Sequence, residues 1–160
     1  MSTAPQDNPF QTPAAILQDA PGVATGEPLY RLAAVGIATF FGTPVAGAWV
    51  IAQNLKRLGR PEQIRKTWLT GIGVLLLAFV IAWFLPGSFP AAPINIVTLL
   101  AMQQYAKQNI GEELDRHAAA GGAFHSNWRA FGVSLLILLA VLAALFGLSL
   151  VVAYLLGVNA

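Results

Sequence analysis

Three stretches of this chain contain no Asp, Glu, Lys or Arg: residues 32–55, 67–106 and 130–160. A helix needs about 20 consecutive apolar residues to cross a hydrocarbon core about 30 Å thick. A soluble helix of that length carries charge on its exposed face. The chain of 160 residues is 56% hydrophobic and 10% charged, where a soluble domain carries about 25% charged residues. The expected fold class is therefore all-α, an integral membrane four-helix bundle.

The number four comes from the middle stretch. As one helix, residues 67–106 would be about 60 Å long, twice the hydrocarbon thickness. "LPGSFPAAP" (85–93), with prolines at 86, 90 and 93, breaks that run into a hairpin. The expected spans are about 32–54, 67–85, 92–107 and 130–156. Between the first two, "LKRLGRPEQ" supplies Gly59 for a left-handed helix end and Pro61 for the first turn of the next helix. Span three continues into a cytosolic polar helix or loop, 107–129, which stops at Gly121-Gly122. Ser126 or Asn127 then caps the last helix. Residues 1–28 form a flexible, Pro-rich polar tail without Lys or Arg, unlike a secretory signal with its basic start and apolar core.

Lys and Arg in the connections set orientation. The first connection has five (Lys56, Arg57, Arg60, Arg65, Lys66) and the third has three (Lys107, Arg116, Arg129), while the N-terminal flank has only Arg31. Four spans then place both termini on the non-cytoplasmic side. The same five residues of the first connection are candidates for contact with an anionic lipid headgroup or an acidic partner; as topology determinants they need no ligand. The formal charge of +2 lies in these flanks and forms no extended basic patch, which excludes nucleic acid as a partner. With no cysteine, disulfide and thiolate chemistry are excluded as well.

"GTPVAG" (42–47) has the outline of a phosphate loop but lacks the following Lys-Ser/Thr and the strand–helix setting. It reads instead as a kink at Pro44 in a helix whose Gly36, Gly42 and Gly47 let another backbone approach closely. Glu113 and His117 are spaced i,i+4, and His125 follows in the next loop; together they are an acceptable zinc or iron ligand set, or else a solvated polar helix. The spans hold no ionisable side chain at depth, which argues against proton relays and ion-coupled transport. Asn95, Thr98, Gln103 and Gln104 are helix-to-helix glue; in the alternative reading Asn95, Thr98 and Gln103 line an oligomeric channel or carrier for a neutral solute.

Gly42-x-Pro44-x-Ala46-Gly47, Asn54-x-x-x-Leu58-Gly59-Arg60 and Gly121-Gly122-x-x-x-Ser126-x-Trp128 resemble a group of small bacterial multi-pass membrane proteins with no assigned activity, over about residues 35–135. The resemblance implies a bacterial inner-membrane protein and adds no mechanism. The expectation is a non-enzymatic protein without cofactor that acts through association with itself or a membrane complex. Its expected contact surfaces are the small-residue strip of helix one and segment 107–129.

Overall fold

The computed structural model describes residues 26–157, and over these the chain is all-helical with no strand. Most of the expected tail, 1–25, lies outside the described residues, as do 158–160. Five α-helices follow in order: α1 Leu32–Phe41, α2 Pro44–Arg57, α3 Ile64–Phe84, α4 Ala92–Ala119 and α5 Asn127–Leu155, with a 3₁₀ turn Pro61–Gln63 before α3.

The expected first span is not one kinked helix but two short ones folded back on each other. Gly42 ends α1, and Thr43, in extended conformation, begins α2 by accepting a hydrogen bond from Ala46 N on its side chain, with Pro44 at the first helical position. Threonine as N-cap followed by proline at N1 is a start signal: the proline lacks only an N–H that would have had no intrahelical partner. The hairpin closes tightly because Gly42 leaves room; a Cβ there would lie 2.7 Å from Ala46 Cβ and 3.0 Å from Ser134 Cβ. Thr39 Oγ1 fills the space a Cβ would take on Gly47. At the open end of the hairpin, Tyr30 meets Asn54.

This hairpin is the centre of the molecule. Leu29, Tyr30, Val35, Val50, Ile51 and Leu55 are almost wholly buried. α4 contributes Met102, Ala106, Ile110 and Leu114 to the same core, a stripe at i, i+4, i+8 and i+12 along one face. α3 packs on α2 and runs back along α4, and α5 packs mainly on α1; among the described residues no part of α5 packs on α3 or α4. Burial stops where the hairpin stops. The buried residues of α3 are Thr67 and Gly71, and those of α5 are Ala130 and Ser134, all in the first turns. Beyond them Leu76, Phe79, Trp83 and Phe84 on α3 and Leu139, Phe146, Leu150 and Leu155 on α5 are exposed.

The molecule thus has a basic end and an apolar end. The N-terminal flank lies at the basic end: Leu29 donates to Ala123 O and accepts from His125 N. α5 starts beside it and leads away for about 43 Å. Residues 27–31 thus lie at the end that carries the basic connections, because the hairpin returns the chain to its starting level before α3 begins.

Two helical runs, Pro61–Phe84 and Asn127–Leu155, are long and apolar enough to cross a membrane. α1 and α2, at about 15 and 21 Å, are each too short to span. α4 is long, but Gln103, Gln104 and Lys107 interrupt its apolar character. Of the expected four-span bundle the structure shows an all-helical chain with two candidate spans, a short hairpin and a mixed helix.

Candidate functional site

At the basic end the backbone entering α1 lies as a strap across the hairpin mouth. Asn54, fully buried, accepts from Tyr30 N and donates to Tyr30 O, both at 2.7 Å. These two bonds satisfy backbone groups that burial would otherwise leave costly. Arg57, one turn on, donates to the Pro28 carbonyl and to His125 Nε2, and its Nε lies 3.2 Å from Glu27 Oε2. The His125 ring rests on Tyr30 with centroids 4.5 Å apart. Burial holds His125 below the ordinary histidine range, and the Arg57 and Arg129 charges add to this, with Glu27 opposing. A neutral ring is what the contact requires, since Arg57 has only protons to offer Nε2.

A second tie joins the α2–α3 connection to α4. Arg60 donates to Glu113 Oε1 at 2.6 Å and to Asn109 O at 2.9 Å. Left-handed Gly59 permits the turn that aims this arginine. His117, buried, places Nε2 2.9 Å from Ala123 O and stacks edge-on against Phe124, so the loop carrying the strap is itself held to α4.

Against this geometry the sequence-derived candidates separate. Of the five basic residues, Arg57 and Arg60 are engaged within the chain, whereas Lys56, Arg65 and Lys66 are exposed. Glu113, His117 and His125 do not converge: each has the partner just described, and no group of three metal-ligating side chains occurs among the described residues. Gly36 lies beneath the Gln103 side chain, while Gly42 and Gly47 face Ser134 and Thr39. The small-residue strip expected to meet another protein is thus covered by its own chain. Asn95 is exposed, Thr98 is buried with its hydroxyl on Asn95 O, and Gln103 lies at α1; the three line no common path.

Asn54 and Tyr30 are the residues that sequence reasoning missed. A signal was available: asparagine inside an apolar run, one turn before the helix ends, needs partners when buried. Another feature absent from the sequence reading is an open, wholly apolar groove of about 370 Å³ between α3 and α4, bounded by residues such as Leu77, Ile81, Phe89 and Val97.

These features define an all-helical protein with a helical hairpin packed at one end and two helices able to cross a membrane. No protein-family model, curated protein or solved structure is similar to the chain.

Proposed function

We propose that this is a multi-pass protein of the bacterial inner membrane that acts by association, with a second copy or a larger membrane complex, and not by catalysis. The observation that carries the reading is the bareness of α5. Its most apolar 18-residue window has no buried residue, and past Ser134 the described part of the helix has none either, with Ile137 only half-buried against the core. In water such a surface would far exceed the apolar patches of a soluble monomer; in a bilayer it is ordinary, with one face free for another helix. Ala140, Ala144 and Gly147 share a face on which a partner backbone could approach closely.

In this reading α3, α4 and α5 cross the membrane, and the hairpin enters from the basic end and returns. All nine Lys and Arg then belong to the cytosolic half, a more complete bias than four crossings would give. The N-terminal flank is cytosolic and the C-terminal end non-cytoplasmic. The non-helical tip at Gly42-Thr43 is half-buried against Ala46 and Ser134, and protein cover of this kind lets irregular backbone sit at depth.

Single cysteines from Ala140 to Gly147, in a chain that has none of its own, test the association. Oxidation in native membranes should give crosslinked dimers at positions recurring every three or four residues, or adducts with one partner. Only monomer at every position would end the association reading. Release of the chain by alkaline carbonate would end the membrane reading.

A further inference from the structure

α1 packs on both α4 and α5, yet among the described residues α4 and α5 do not pack on each other. The outward face of α1 is therefore the floor of an open trough between two walls. Three adjoining recesses make it up. The first, about 220 Å³, lies among Leu32, Leu100, Gln103, Gln104 and Lys107. The second, about 290 Å³, shares Gln103 and runs over Ala33, Gly36, Ile37 and Phe40. The third, about 320 Å³, shares Ile37 and Phe41 and reaches Trp128 and Phe131 on α5. One mouth is polar and the run beyond it is apolar.

The charge at that mouth has one sign. Lys107 lies on the wall and Arg31 immediately precedes the floor, its guanidinium 4.6 Å above the Phe124 ring. The N-terminus of α1 has no side-chain cap and no acidic residue in its first turn, so its amides and dipole add positive potential. Glu27, the nearest acidic residue along the chain, is taken up by Arg57. Gln103 and Gln104 supply further amide donors. Trp128, 79% exposed, stands beside the trough as indole rings do at a membrane interface.

We propose that this trough seats one anionic phospholipid of the cytosolic leaflet, its phosphate at Lys107 and the head of α1, and one acyl chain along Ala33, Ile37 and Phe40. The inference rests on the membrane reading given above. It differs from a general attraction to the exposed Lys56, Arg65 and Lys66, which have a surface but no apolar slot. A long amphiphile with a negative head is the one ligand chemistry that satisfies both halves of the trough.

The full chain, reconstituted in vesicles of equal phosphatidylglycerol and phosphatidylcholine, is extracted in mild detergent and the retained lipid identified by native mass spectrometry. One phosphatidylglycerol per chain is expected in preference to phosphatidylcholine. Lys107→Gln and Arg31→Gln should each weaken retention about fivefold. Ala33→Trp, at an exposed floor position, should abolish retention with melting unchanged; Leu100→Trp fills the same space from the wall should the first variant fail to fold. Joint replacement of Lys56, Arg65 and Lys66 by Gln should leave retention intact. Equal retention of both lipids, indifference to the tryptophans, or loss only in the triple variant overturns the seat while the protein still floats with the vesicles. Failure to float overturns the membrane reading and the seat together.

Discussion

The carboxamide of Asn54 holds both backbone groups of Tyr30, taking its N–H and giving to its C=O at 2.7 Å each. The contact joins residues 24 apart in sequence and fastens the last turn of α2 to the segment entering α1. No backbone ladder does this at the hairpin mouth, so side chains carry it, Asn54 at Tyr30 and Arg57 at Pro28 and Glu27.

Replacing Asn54 should therefore loosen the hairpin more than a typical core change of its size. Asn54→Leu leaves two buried backbone groups without partners, and a loss of about 2–4 kcal/mol is expected. Asn54→Asp keeps the acceptor, removes the donor and buries a charge, and should be worse. Thermal melting in detergent micelles reads both; a variant melting within a degree or two of the parent would show that the clamp is dispensable.

Two neighbouring glycines on α3 give an internal control for the packing of α3 on α2. A Cβ on Gly71 would lie 2.5 Å from Ala48 Cβ and 2.9 Å from the Pro44 carbonyl oxygen, a backbone atom that cannot swing aside, whereas Gly73 has open space. Gly71→Ala should cost about 1–3 kcal/mol. Gly73→Ala should be neutral or slightly stabilising by helix propensity. Equal melting temperatures for the two would contradict the α2–α3 contact.

Acidification should weaken the strap. His125 titrates below its ordinary value of about 6.5 because burial and the charges of Arg57 and Arg129 disfavour the imidazolium, against a smaller contribution from Glu27. Between the folded and unfolded values the unfolded chain binds more protons, so stability is complete above about pH 6.5 and is lost as pH falls toward the folded value. His125→Gln should flatten that part of the profile, read as melting temperature from pH 8 to pH 5. A slope unchanged by the substitution would assign the effect to another group.

Topology is open to direct labelling. Cysteine placed at Glu27 should resist a membrane-impermeant maleimide in intact cells and react once they are permeabilised, while cysteine at Leu156 should react at once. Labelling of both in intact cells would restore four crossings and refute a hairpin that turns back within the membrane.

Much of this architecture is legible in local chemistry. Gly59 and Gly121 adopt positive φ where the helices end, and Ser126 accepts from Trp128 N at the start of α5. The prolines after Phe84 separate α3 from α4. The hairpin was harder to read because apolar length is the same for one crossing and for two short helices folded together. Thr43-Pro44 can be read as a bend or as a beginning, and only the tertiary contacts of Gly42 and Asn54 decide between them. The candidate metal set separated for a related reason: sequence spacing placed Glu113 and His117 on one helix but could not show that Arg60 and Ala123 already hold them.

A hairpin that turns back partway has a consequence for shape. In the proposed orientation, a slice through the cytosolic leaflet cuts five helices and a slice through the opposite leaflet cuts three, giving a wedge. Wedges gathered side by side bow the sheet that holds them, convex on the wide side, so clustering of this protein would be coupled to membrane curvature.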